Sequence, residues 1–213
     1  MSFPEARLDV DGLSCIRDDR SLFSDLSFHL EQGGLLRIEG PNGSGKTSLL
    51  RLLCGLRPAD SGEIRWNGKL TEKAADHYLP SMLYLGHLAH INGQLTPLEN
   101  MRYLCQLRNI ELSESSSLAY LKEVGLRGFE DIPARQLSAG QKRRVLLAFL
   151  LSANAQLWIL DEPLTALDKD VCSWFEGKML EHCAEGGMII FTTHHGMTLD
   201  DSLQNITLGN ANV

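Results

Sequence analysis

Nine consecutive residues, "GPNGSGKTS" from Gly40 to Ser48, have the types and spacing to hold a polyphosphate. They satisfy G-x-x-x-x-G-K-[ST], in which glycines let the backbone curl until successive N–H groups face the anion. Gly40, Gly43 and Gly45 supply that freedom, and Pro41, Asn42, Ser44 and Ser48 complete the binding stretch. Lys46 offers a cation to the β and γ oxygens, and Thr47 offers a hydroxyl to Mg²⁺. A helix beginning near Lys46 would add the partial positive charge of its N-terminus.

A second chemical feature is "LWILDEP", an apolar run ending in two adjacent acids, Asp161 and Glu162. Side chains alternate along a strand, so the two carboxylates are expected to diverge and take separate tasks. If this strand neighbours the phosphate loop, both acids fall at the carboxyl end of a parallel sheet, where ligands bind. Asp161 would then hold Mg²⁺, and Glu162 would orient and deprotonate an attacking water. A third feature is "QLSAGQKRR", Gln136 to Arg144: a Ser cap, two small residues and a basic first turn, suited either to a second anion site or to a solvated helix face.

These residues require a scaffold of strands and helices in alternation. Strands are expected at Leu8–Val10, Leu35–Glu39, Glu63–Trp66, Met82–Leu85, Leu157–Asp161 and Met188–Thr192, several of them apolar throughout, as strands covered on both faces should be. A helix is expected from Lys46 to Cys54, stopped by Gly55 and Pro58. The fold class is therefore α/β. Between Leu88 and Gln136, "LTPLENMRYLCQLRN" and "SSSLAYLKEVGL" carry helical spacing with few strand signals, which predicts a helical insertion.

Composition sets outer bounds. The 213 residues suffice for a sizeable core, and a net charge of -7 disfavours nucleic acid or anionic lipid as partners. The acidic N-terminus does not read as a signal peptide, and the apolar segment Val145 to Leu160 reads as a buried helix followed by a buried strand, not a membrane span. The cysteines, Cys15, Cys54, Cys105, Cys172 and Cys183, form no CxxC pair and suit a reducing compartment.

The ordered set "GPNGSGKT", "LSAGQKRR", "LWILDEP", "LTALD" and "FTTHH" resembles the nucleotide-binding domain of ABC ATPases across essentially the whole chain. The resemblance implies a P-loop NTPase core sheet with an N-terminal antiparallel β portion and an inserted helical subdomain, roughly 88–150, within a single domain spanning 1–213. It implies ATP and Mg²⁺ as cofactors and a head-to-tail homodimer, in which Ser138, Ala139, Gly140 and Gln141 bind the ATP of the partner subunit. His194 matches the switch histidine and joins Glu162 and Lys46 as a catalytic residue, and Asp168 matches the loop that communicates across the dimer. Two positions depart from the family pattern: His87 replaces the usual glutamine, and Arg17 stands near the position of the aromatic residue that stacks on adenine.

Within that family, the compact length and the "GH" at Gly86-His87 look most like the ATP-binding subunits of cytochrome c biogenesis haem exporters. The resemblance implies a peripheral ATPase on the cytoplasmic side of the bacterial inner membrane, docked on integral membrane subunits. Its work would be haem export or release of a haem-loaded periplasmic chaperone. Another ABC transporter and a soluble assembly ATPase of iron–sulfur cluster biogenesis are the alternatives.

Overall fold

The computed structural model describes residues 2–88, 91–193 and 203–209. Two sheets organise them. The first is antiparallel, in the order β2-β1-β4-β5, built from β1 (Arg7–Arg17), β2 (Arg20–Glu31), β4 (Ser61–Trp66) and β5 (Lys69–Leu70). The second is parallel, in the order β6-β7-β8-β3-β9, built from β3 (Leu35–Glu39), β6 (Met82–Leu85), β7 (Leu157–Asp161), β8 (Met188–Thr192) and β9 (Leu203–Thr207).

The central strands explain themselves. Every residue of β7 and β8 is buried, as expected where both faces of a parallel sheet are covered. Alternation along β7 divides the core: Leu157 and Ile159 join the cluster containing α1 (Lys46–Leu53) and the antiparallel sheet. Trp158 and Leu160 join the cluster containing α5 (Ala139–Ser152) and α6 (Lys169–Ala184).

Between β6 and β7 run α3 (Pro97–Leu107), α4 (Glu114–Glu123), a 3-10 turn at Ala134–Gln136, and α5, which pack on one another. Thr96 and Glu99 close a capping box at the start of α3, with Pro97 in the first turn. Buried Asn100 donates to the carbonyls of Asn92, Leu95 and Thr96 and accepts from the Asn92 N–H, pinning the loop before α3.

Several elements, β2, β9 and α2 (Ala75–Ser81) among them, escape the sequence pattern. β2 is mostly exposed and its pairing with β1 is broken by bulges, so its period is irregular. β9 is a partly exposed edge strand, and α2 has a single fully buried side chain, Tyr78, and a proline in its last turn. No helix among the described residues is long and apolar enough to cross a membrane.

Candidate functional site

The turn between β3 and α1 carries the phosphate-loop sequence. Gly40, Gly43 and Gly45 all have positive φ, at 141°, 81° and 101°. The glycine at 40 is also sterically enforced, because a Cβ there would lie 2.4 Å from the Leu208 carbonyl oxygen. Lys46 donates to its own loop, with Nζ 2.7 Å from the Gly40 oxygen and 3.2 Å from the Pro41 oxygen. Ser44 Oγ is buried with no hydrogen-bond partner among the described residues, an orphan that a phosphate oxygen would satisfy.

The acidic strand end comes to this loop by a route that simple strand adjacency does not give. β8 lies between β7 and β3, so the two strands are not neighbours. Contact is made instead by α1, which packs against β7 and brings Thr47 Oγ1 to within 2.9 Å of Asp161 Oδ2. Thr192, facing Asp161 across the β7–β8 ladder, donates from Oγ1 to Asp161 Oδ1 at 2.9 Å. Its oxygen also accepts the Glu162 N–H at 3.0 Å.

Asp161 and Glu162 do part company, though not through strand alternation. β7 ends at Asp161, and Glu162 takes a left-handed backbone with φ 51°. Both residues are nonetheless buried, at 2% and 8% exposure, in a site rich in polar backbone. Together with Arg17, Asn42, Gly43, Gly45, Lys46, Thr47, Ser48 and His87 they line one cavity of about 580 Å³, to which Leu22 and Thr165 also contribute. His87 is exposed just after β6, and Arg17 is exposed at the end of β1, where it lies 3.6 Å from Asp18. His194 lies outside the described residues.

Ser138, Ala139, Gly140 and Gln141 do not line that cavity. Ser138 caps α5: its Oγ accepts the Gln141 N–H at 3.1 Å, and Gln141 Oε1 accepts the Ser138 N–H at 2.9 Å. Accepting in this way leaves the Ser138 hydroxyl proton available to donate outward, from an exposed helix start. Gly140 admits no side chain, since a Cβ would stand 2.4 Å from the Ala166 oxygen. Asp168 caps α6 by accepting the Val171 N–H at 3.0 Å and pairs with Arg144 at 2.5 Å. The Val171 N–H, and then the Arg144 charge, hold its carboxyl below the ordinary range.

Two of the three basic residues that open α5 are engaged within the chain. Arg144 is occupied by Asp168, and Arg143 turns inward to 3% exposure. Its guanidinium donates to the carbonyl oxygens of Gly86, Asp161, Glu162 and Pro163. Burial pulls its pKa below the ordinary value, against the opposing pull of Asp161 and Glu162. Arg143 and Thr192 are two of the site residues that sequence reasoning does not reach, beside Leu22 and Thr165 on the cavity wall. A polar threonine closing the apolar run "MIIFT" is the available signal for the second; adjacent arginines on a helix give none for the first.

The donor set fits a polyphosphate and a hard divalent cation. Oxygens from Thr47 and Asp161 converge as a hard divalent cation requires. The loop presents backbone donors, a lysine and an orphan hydroxyl to phosphate. A carboxylate at Glu162 stands on the wall of the same cavity.

Comparison with known proteins agrees with this geometry. A family model described as ABC transporter matches residues 23–165. The chain is 47% identical, over 90% of its length and 94% of the relative's, to the cytochrome c biogenesis ATP-binding export protein CcmA of Dechloromonas aromatica. It is 50% identical to the protein of the same description from Nitrosospira multiformis, over 85% and 88% of the two chains. Among solved structures, one described as an ABC transporter ATP-binding protein from Pyrococcus furiosus superposes with a TM-score of 0.82 at 25% identity, covering 95% of this chain and 97% of that one.

Proposed function

The chain belongs to the ABC transporter family, within its group of cytochrome c biogenesis ATP-binding export proteins, and from that premise we propose that it powers haem export or release of a haem-loaded chaperone during c-type cytochrome biogenesis. It is an ATP-hydrolysing subunit. The observation that carries the mechanism is the meeting of Lys46, Thr47, Asp161 and Glu162 on one cavity.

In this reading Gly40 to Ser48 wrap the phosphates of ATP, and Lys46 exchanges its carbonyl partners for the β and γ oxygens. Thr47 and Asp161 hold Mg²⁺, which when bound neutralises charge developing on the transferred phosphoryl group. Glu162 takes the proton of the attacking water, with His194 as the γ-phosphate contact and His87 on the cavity wall. Arg17 lies at the rim, where a guanidinium stacks on a base.

Ser138, Ala139, Gly140 and Gln141 sit away from this cavity on an exposed helix start, so the reading requires a second copy to bring them to the γ-phosphate. ATP then joins two chains and hydrolysis loosens them, with Asp168 at the seam. The protein acts as a peripheral subunit on the cytoplasmic side of the inner membrane. It docks there on integral membrane subunits through the region 87–100.

The test is the haem-stained level of c-type cytochromes in cells whose only copy carries Lys46→Ala at normal abundance. Loss of these cytochromes with haem synthesis intact supports the reading. Normal levels leave an ATPase with a different cargo.

A further inference from the structure

Glu162 occupies a conformation that its side chain disfavours. At φ 51° a residue with a Cβ crowds its own backbone, and such a conformation persists only where neighbours over-determine it. Two neighbours do so. On one side Thr192 Oγ1 accepts the Glu162 N–H at 3.0 Å; on the other the Glu162 carbonyl accepts Arg143 Nη2 at 2.9 Å.

Arg143 does more than close one bond. Nη2 also reaches the Asp161 oxygen at 3.1 Å, Nε the Pro163 oxygen at 3.0 Å, and Nη1 the Gly86 oxygen at 2.8 Å. A single planar cation thus fixes three successive carbonyls, at 161, 162 and 163, and ties them to the strand end that precedes His87. Burying a guanidinium on carbonyl oxygens, with no ion pair to a carboxylate among the described residues, is costly, and stability alone does not call for it. The cost is explained if the fork sets the direction of a backbone that must not relax.

We propose that Arg143 is a positioning residue for ATP hydrolysis, holding Glu162 in its left-handed conformation so that the carboxylate faces the cavity; the inference rests on Glu162 acting as the base. Lysine cannot replace it fully, because a rotating ammonium with three donors does not reproduce a rigid fork that serves four acceptors. The arginine stands on α5, so the helix that begins at Ser138 is hydrogen-bonded directly to the turn that carries Glu162.

The experiment is steady-state ATP turnover by the full chain isolated from cell membranes, for Arg143→Gln, Arg143→Lys, Glu162→Gln and the two corresponding double variants. ATP affinity and melting temperature are measured alongside. Glu162→Gln is expected to lower kcat by roughly 10² to 10⁴-fold. Arg143→Gln is expected to lower kcat by about 10 to 100-fold and Arg143→Lys by about 3 to 10-fold, each with KM within about twofold of the parent. In the Glu162→Gln background either arginine substitution is expected to change the residual rate by less than about twofold, because its effect passes through a base already removed.

An equal loss in both backgrounds, or parental kcat in the arginine variants, overturns the proposal. Should Arg143→Gln fail to fold, Arg143→Lys carries the same cycle. Parental turnover in Glu162→Gln sinks the assignment of the base itself, an outcome distinct from a normal Arg143 variant beside an inactive Glu162 variant.

Discussion

Thr47 Oγ1 and Asp161 Oδ2 are 2.9 Å apart, a hydrogen bond that spans 114 positions of sequence and joins the first turn of α1 to the end of β7. It draws together the two oxygen donors assigned to Mg²⁺, and Thr192 holds the other carboxylate oxygen in place.

Asp161→Asn keeps the shape of this pair while removing its charge. We expect the Mg²⁺ concentration for half-maximal turnover to rise by about 10 to 100-fold, the equivalent of losing a charge-assisted contact. Nucleotide binding in EDTA is expected to change by less than about threefold. A Mg²⁺ titration of ATP turnover checks the first, and equilibrium binding of a fluorescent ATP analogue the second.

Lys46→Ala removes the cation from the loop and its bonds to the Gly40 and Pro41 carbonyls. ATP affinity is expected to fall by about 10 to 100-fold, with the fold retained. Equilibrium nucleotide binding with circular dichroism is the check; unchanged affinity contradicts the assignment of the loop.

Two substitutions at Ser138 separate its structural and binding roles. Ser138→Ala deletes the N-cap of α5 and is expected to cost about 1 kcal/mol, or roughly 2–4 °C in melting temperature for a chain of this size. Ser138→Arg places a bulky side chain at the surface that the proposed dimer would offer to the partner's nucleotide. Both subunits so modified should bind ATP at their own loops yet fail to hydrolyse it, as nucleotide binding and phosphate release will show.

His182 supplies a pH dependence of stability. It is buried, stacks on Trp158 at 3.8 Å, and reaches the Gln156 oxygen at 3.1 Å. Burial lowers its pKa from 6.5 to about 4, so between those values the unfolded chain binds a proton that the folded chain refuses. The neutral ring's contribution is complete above pH 6.5 and is lost as pH falls towards 4, by an amount on the order of 3 kcal/mol. His182→Phe should flatten that acid limb, at the cost of a lower plateau from the lost Gln156 bond. Denaturant midpoints at pH 7.5, 5.5 and 4.5 measure both effects.

Much of this site could be read from sequence because its ligands follow from local order. The loop glycines at 40, 43 and 45, Lys46 and Thr47 are fixed by a turn between one strand and one helix, and β7 and β8 announce themselves by unbroken apolarity. What sequence could not supply are contacts made across the fold. Arg143 looks like a solvated charge until β6 and β7 are seen to end beneath it, and the left-handed turn at Glu162 leaves no mark in residue type, since glutamate is not the residue that conformation favours. β2 is hidden for a different reason: its bulges break the period on which a strand is recognised.

The place of β3 between β8 and β9 sets when the phosphate loop gains its supporting sheet during synthesis. The strand that launches the phosphate loop, Leu35–Glu39, is synthesised long before its sheet neighbours at Met188–Thr192 and Leu203–Thr207, and Gly40 abuts the backbone of Leu208. On the ribosome, therefore, the loop has no complete sheet to stand on until Leu203–Thr207 has emerged. Pairing strands so distant in sequence also makes their assembly slow. A chain ending before Leu203 keeps β8 beside β3 but leaves the other side of β3 as an open sheet edge, prone to association, and lacks the Leu208 backbone beside Gly40.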